Sequence, residues 1–178
     1  MNMTEKTIGS ETIFEGKVIR VKRDTVELPD GNRATREVVE HPGGVGVVPI
    51  DENGIVYMVR QYRYPLGRLS LEIPAGKLNY GEDHRECGLR ELSEETGLET
   101  DNFQYLGVFC PSPGFSQELI HLYLATELHQ KQIHLDEDEF LEVEKYTLEE
   151  LMTMIHEGKL QDGKTVIGLL TAKEVLGK

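Results

Sequence analysis

The apolar positions of this chain fall in short runs bounded by turn residues, and most of those runs read as strands. "TIFEG" and "KVIRVKRDTVEL" are followed by the turn "PDGNR", where Pro29, Asp30 and Gly31 supply the turn chemistry, and then by "ATREVVE". Residues 11–40 therefore predict a small antiparallel sheet. Pro42-Gly43-Gly44 interrupts the pattern, which places a boundary between an N-terminal lobe, 1–42, and a second domain, 43–178. Beyond it, "VGVVPI" and "GIVYMVRQY" are strands around the turn "DENG", and "LSLEIP" is a third. "FQYLGVFC", "LIHLYLATEL" and "LEVEKY" continue the strand pattern after a central loop and helix. Thr147 with Glu150 three residues on forms a capping box that opens a helix for Gly158 to end, and "KTVIGLLTAKEVL" is the last helix. Strands interrupted by one helix and closed by two more give an α+β class, a mixed β-sheet sandwiched between α-helices with a small N-terminal β lobe.

The chain's 178 residues suffice for one domain, or for a compact domain with a small appended lobe. With 38% hydrophobic and 29% charged residues and no low-complexity tract, a packed core is expected throughout. No apolar run is long enough for a membrane helix, and the polar start "MNMTEKTIGS" holds no apolar signal segment, so the expectation is a cytoplasmic protein without a membrane partner. Cys87 and Cys110 are too few for a disulfide framework and lack metal-site spacing; two reduced, partly buried thiols are expected. A net charge of −13 argues against nucleic acid as a partner. It leaves room for an anionic substrate if divalent cations stand between the protein's carboxylates and the substrate's phosphates.

The helix within "IPAGKLNYGEDHRECGLRELSEETGLE" carries the sharpest chemical signal. Glu91, Glu94 and Glu95 are related as i, i+3 and i+4, so their carboxylates project from one face, with Arg90 among them. Leu89 and Leu92 are expected to face the core from the other side, leaving the carboxylates exposed, and Gly97 is suited to the left-handed stop. A solvated helix face with Glu and Arg pairs is the bland reading of such a stripe. A hard cation such as Mg²⁺, which prefers a few carboxylates plus phosphate oxygens and water, is the functional one.

The full spacing decides between them. Gly76, Glu82, Arg90-Glu91-Leu92, Glu94-Glu95 and Gly97-Leu98 fill every fixed position of a pattern that resembles the Nudix hydrolase box, over 23 residues. That resemblance implies the Nudix fold and a metal-dependent hydrolase of nucleoside diphosphates linked to another group. It implies Mg²⁺, or Mn²⁺ in its place, on Glu91 and Glu95, with Glu94 as a third carboxylate and the backbone carbonyl of Ala75 as a further ligand. Arg90 is then similar to the family arginine that orients those carboxylates through ion pairs; Glu82 is a candidate metal-proximal group, but it lies about half a helical turn from Glu91 in projection, which favours a loop-fixing role.

The flanks resemble those of the ADP-ribose pyrophosphatases within that family. "VRQYRYPLGRLSLEIPAGK" concentrates Arg60, Arg63 and Arg68 before the box; the resemblance puts Arg63 on the diphosphate. "CPSPGFSQE" carries Pro113 near the subfamily's downstream proline, which implies substrate contacts for Gly114 and for Glu118, the latter at the terminal ribose hydroxyls. "LDEDEFLEVE" supplies an acidic loop, an ordinary solvated feature in most proteins. Here the resemblance assigns Glu137 as the base that deprotonates the attacking water and Glu139 as its metal-binding partner. "REVVEHPGG" is similar to the subfamily's entry into the catalytic domain, with Arg36 at a substrate-contacting position and the N-terminal lobe serving dimerisation and substrate capture in a homodimer. One departure is the absence of tryptophan, so stacking on adenine falls to arginine, tyrosine or aliphatic residues.

The function these readings imply is Mg²⁺-dependent hydrolysis of ADP-ribose to AMP and ribose 5-phosphate. The alternatives are a pyrophosphatase for another nucleoside diphosphate sugar, such as GDP-mannose, and a non-catalytic nucleotide-sugar sensor on the same fold.

Overall fold

The computed structural model describes residues 2–130 and 140–177. Two compact units divide the chain: Met1–Gly43 with Cys110–Leu119, and Gly44–Phe109 with Ile120–Lys178. Assignment of residues 110–119 to the first unit is not visible in the strand pattern.

The first unit is an antiparallel sheet in the order β1 (Lys6–Glu15), β2 (Arg20–Glu27), β3 (Arg33–Glu40). Register runs unbroken from Arg20↔Glu40 to Glu27↔Arg33, set by the turn at Asp30-Gly31, where Gly31 has a φ of 84°. β1 begins earlier than the apolar run "TIFEG" indicates, and every one of its residues is exposed. The segment 110–119 joins this sheet through Val39, whose N–H donates to Phe115 O (2.7 Å) and whose carbonyl accepts from Gln117 N (3.1 Å). Cys110, expected to be partly buried, is exposed on it.

The second unit holds two sheets where the strand pattern alone suggests one. The four-stranded sheet is mixed, in the order β7 (Ala75–Lys77), β4 (Gly44–Pro49), β9 (Ile120–Gln130), β8 (Leu98–Phe109), with β4 and β9 parallel. The three-stranded sheet is antiparallel, in the order β10 (Leu141–Thr147), β5 (Ile55–Arg63), β6 (Arg68–Glu72). β7 lies in a stretch read from the sequence as loop; three residues are too few for an apolar period to show.

All residues of β4 are buried, as expected of a strand covered on both faces. Its side chains alternate between two cores. Val45 and Val47 join Tyr123, Ala125 and Leu98 beneath α1 (His84–Thr96), together with Cys87 and Leu92 of that helix. Val48 joins Leu122, Leu124 and Ile73 against α2 (Leu148–His156) and α3 (Gly163–Val175). The mixed sheet sandwiched between helices is thus the period of two in β4 and β9 expressed in three dimensions. The expected capping box opens α2: Glu150 N donates to Thr147 Oγ1 (3.2 Å) and Thr147 N to Glu150 Oε2 (2.8 Å), with Gly158 at φ 70° past its end. Among the described residues no helix is long and apolar enough to cross a membrane.

Candidate active site

α1 is fixed at both ends by its own sequence. Asp83 caps it, accepting from Arg85 N (2.9 Å) and Glu86 N (3.1 Å), and Gly97 closes it in the left-handed conformation with its N–H on Ser93 O. The buried positions are Cys87, Gly88, Glu91, Leu92, Glu95 and Thr96, two columns at i, i+4 spacing. This corrects the expectation of an exposed acidic face opposite Leu89 and Leu92. Glu91 and Glu95 are 6% and 2% exposed, on the same side as Leu92, while Leu89 is only half-buried and Glu94 is the carboxylate that reaches outward.

Two backbone features of β7 accommodate these buried charges. Glu95 Oε2 accepts from the Ala75 N–H at 2.8 Å. Glu91 occupies the space that a side chain at Gly76 would fill: a Cβ there would stand 1.9 Å from both its Cδ and Oε1. β7 is held in turn by its antiparallel register with β4, Val45↔Gly76 and Gly46↔Ala75, and by Val47 N donating to Pro74 O.

Arg90 gathers the carboxylates. Its Nη1 lies 2.7 Å from Glu91 Oε1 and 2.8 Å from Glu94 Oε2, and its Nη2 lies 3.2 Å from Glu82 Oε1. Burial works against the guanidinium's charge, but Glu91, Glu94 and Glu82 together hold its pKa above the ordinary value. Glu82 also accepts from Asn79 N (2.8 Å), closing the loop that leads into the helix. Burial, reinforced by Glu91 and Glu82, pushes the Cys87 thiol up to about 12, so it is an inert part of the core.

The arginines before the box do not form one cluster. Arg60 and Arg63 are an odd number of residues apart on β5 and point to opposite faces of the sheet. Arg60 is taken by Glu144, which Tyr146 also bonds, across on β10. Arg63 and Arg68 line one open cleft of about 520 Å³ with Ser70, Glu72 and Lys164. Arg63 donates to Glu72 from Nε (2.8 Å) and Nη2 (2.6 Å), and Glu95 is near enough to add to the field that keeps it charged. Burial would raise the Glu72 carboxyl, but the hydrogen bond from Arg63 and the charge of Lys164 outweigh it and hold the group at about 2. Sequence reasoning missed Glu72 and Lys164. The available signal was a carboxylate in the strand that runs straight into Ile73-Pro74-Ala75.

The second unit therefore brings together Ala75, Arg90, Glu91, Glu94 and Glu95, with Arg63 in electrostatic reach. Arg36, Gly114 and Glu118 belong to the first unit. There Arg36 pairs with Glu5 (Nε–Oε2 2.9 Å), and Glu118 Oε1 lies 3.4 Å from His41 Nδ1. Glu137 and Glu139 lie outside the described residues.

Comparison with known proteins sorts the chain along the same division. The family described as "NUDIX domain" matches residues 40–167, and the "Nucleoside diphosphate sugar hydrolase N-terminal domain" matches residues 5–39. The chain is 48% identical over 167 residues to the methanol dehydrogenase activator of Bacillus methanolicus, covering 93% of this chain and 90% of that protein. It is 44% identical over 179 residues to the ADP-ribose pyrophosphatase of Bacillus subtilis (strain 168), covering 98% and 97%. A crystal structure of an ADP compounds hydrolase superposes with a TM-score of 0.87 at 21% identity, over 99% of this chain and 97% of that one, which shows a shared fold.

Proposed function

The chain belongs to the Nudix family, and from that premise we propose that it hydrolyses ADP-ribose to AMP and ribose 5-phosphate with a divalent cation, Mg²⁺ or Mn²⁺. The observation that carries the reading is the packing of Glu91 and Glu95 against the backbone of Ala75 and Gly76, with Arg90 between Glu91 and Glu94. Near full-length likeness to a protein named for this reaction supports the choice of substrate.

The donor chemistry fits the cation. Carboxylates and a main-chain carbonyl are the hard oxygen ligands that Mg²⁺ takes, and Gly76 leaves a space beside β7 that the Glu91 carboxylate of α1 fills. Among the described residues no three acidic, histidine or cysteine side chains already converge on one point. Arg90 supplies the positive charge there, and Glu139 of the proposed set lies outside those residues. Glu91, Glu95, Glu94, Glu139 and the carbonyl of Ala75 would hold the metal. When bound, it would offset the diphosphate's charge and make a coordinated water more acidic.

The chain's own residues divide the remaining work. Arg90 aligns the carboxylates and offsets their mutual repulsion while they are unloaded. Arg63 offers the guanidinium edge not bonded to Glu72 to a diphosphate oxygen. Glu137 takes the proton from the attacking water, and the P–O bond breaks toward the leaving phosphate without a covalent enzyme intermediate. Arg36, Gly114 and Glu118 contact substrate, Glu118 at the terminal ribose. Residues 1–42 serve substrate capture and dimerisation in a cytoplasmic homodimer, and neither nucleic acid nor membrane is a partner.

The test is chromatographic resolution of products after incubation of ADP-ribose with enzyme and Mg²⁺, beside GDP-mannose. AMP and ribose 5-phosphate in equal amounts are expected. Faster release of GMP and mannose 1-phosphate from GDP-mannose would reassign the substrate, and tight binding of ADP-ribose without products would make the chain a sensor.

A further inference from the structure

Behind Arg63 stands a set of charges, gathered on the buried Glu72, that the chemistry above does not use. Glu72 is 1% exposed, and both of its oxygens are engaged by one edge of the Arg63 guanidinium. Its Oε2 also receives the Lys164 ammonium, which in turn sits 3.0 Å from Asp162 Oδ2. Asp162 is the cap of α3, accepting from Thr165 N (3.0 Å) and Thr165 Oγ1 (2.6 Å). Thr165, wholly buried, accepts at Oγ1 from Ile73 N (2.9 Å), the residue after Glu72. Two residues further along that segment, the Ala75 N–H holds Glu95.

This arrangement is costly as a mere fastening. Glu72 is taken out of water and Lys164 nearly so, and an ion pair at that depth gains little over apolar packing of the same volume, so a stability role alone does not account for it. Its geometry accounts for it better. A bidentate carboxylate fixes the guanidinium plane, and a guanidinium fixed along its Nε and Nη2 edge must present Nη1 elsewhere. All three line the cleft, but the Arg63 side chain is 38% exposed there, whereas Lys164 is 10% exposed and Glu72 2%. Glu72 can serve as such an anvil only while it is itself held, and Lys164 is the group that holds it, on the same Oε2 that receives Arg63 Nη2.

We propose that Lys164 is a positioning residue for substrate capture: through Glu72 it fixes the plane of Arg63, so that the first turn of α3 sets affinity for the diphosphate. The inference rests on the reading of Arg63 as a diphosphate contact. Asp162 holds Lys164 in the same way, one step further back. The same turn, through Thr165 and Ile73, also fixes the start of the segment that carries Ala75. One structural element thereby sets the spacing between the anion-binding arginine and the carboxylates.

The experiment is a double-mutant cycle of Lys164→Met and Arg63→Ala, read by KM and kcat for ADP-ribose and by calorimetric titration with inorganic pyrophosphate in Mg²⁺. In the wild-type background, Lys164→Met is expected to weaken KM and pyrophosphate binding roughly 10- to 100-fold, the scale of a misplaced binding group, with kcat changed by less than about threefold. In the Arg63→Ala background the same substitution is expected to add almost nothing. Lys164→Arg is expected to recover most of the affinity, and Asp162→Asn, which keeps a capping side chain, to give a smaller loss of the same kind. If Lys164→Met does not fold, the cycle is run with Asp162→Asn. A full effect of the α3 variant in the Arg63→Ala background, or a loss confined to kcat, would overturn the inference. So would pyrophosphate binding indifferent to Arg63→Ala. Failure of the wild-type enzyme to release AMP would sink the proposed activity and leave the pyrophosphate arm to decide the positioning role.

Discussion

Replacing Gly76 with alanine tests the link between the β7 backbone and the carboxylate chemistry. The added Cβ would stand 1.9 Å from Glu91 Cδ and Oε1 and 2.5 Å from Cγ. Carbon atoms in contact prefer about 3.5–4.0 Å, so the carboxylate must retreat by roughly 1.5 Å or more. The strand is held against retreat by its pairing with β4, Val45↔Gly76 and Gly46↔Ala75. Overpacking of this kind costs about 1–3 kcal/mol, which at about 2–4 °C per kcal/mol for a chain this size lowers Tm by roughly 2–12 °C. The functional loss is larger in proportion, because a group misplaced by about 1 Å costs on the order of 100-fold. Gly76→Ala is therefore expected to weaken Mg²⁺ binding and to lower kcat/KM for ADP-ribose by about 100-fold, measured where calorimetry shows it still folded. Gly88→Ala is the control. Its Cβ would meet Phe103 Cζ and Val45 Cγ1 at 2.9 Å, an overpacking on the same helix that touches no carboxylate. It should lose Tm but keep kcat/KM within about threefold. Unchanged metal affinity and turnover in Gly76→Ala, or equal losses in the two variants, would refute the reasoning.

The acid limb of stability should carry the signature of Glu72. Its folded carboxyl is held at about 2 against an ordinary 4.5, so the stabilisation is complete above pH 4.5 and is lost as pH falls toward 2. The shift corresponds to on the order of 3 kcal/mol, and urea titrations from pH 6 to 2.5 should show Glu72→Gln with a flatter acid decline than wild type; parallel curves would remove Glu72 from the linkage. For the acidic loop, Glu137→Gln is expected to cut kcat by about 10²–10⁴-fold with Mg²⁺ affinity nearly intact, whereas Glu139→Gln weakens Mg²⁺ binding as well. Near-normal Glu137→Gln beside a crippled Glu139→Gln would shift the base by two residues.

The spacing of Glu91, Glu94 and Glu95 was legible because helix geometry fixes which residues share a face. Which way that face points was not. Charged residues are seldom buried, so a reading from polarity turns Glu91 and Glu95 to solvent. What lets them inward is a missing Cβ at Gly76 and a main-chain N–H at Ala75, neither of which carries a hydropathy signal. The arginine-rich stretch misled for a different reason. Nearness in sequence suggested a cluster, while the period of two in β5 sends Arg60 to Glu144 and Arg63 to Glu72. The strand "VGVVPI" could be read because burial on two faces leaves an unbroken apolar run. β1 could not be bounded, since none of its residues is buried and no face imposes a period on it. The pairing of Glu72 with Lys164 joins positions 92 apart, which no local pattern records.

The hand that steadies Glu95 is the N–H of residue 75, and an N–H is common to every amino acid except proline. The methyl group of Ala75 plays no part in that bond. In a library that varies position 75, the carboxylate's alignment is inherited by all but one class of variant, while the half-buried surface of β7 is remodelled around it. Proline alone would delete the donor, and its ring Cδ would stand where that N–H points, so Ala75→Pro would both remove the bond and push the Glu95 carboxylate away. The donor that aims Glu95 thus does not depend on which side chain stands at 75, whereas the fit of Glu91 does depend on there being none at Gly76, its immediate neighbour.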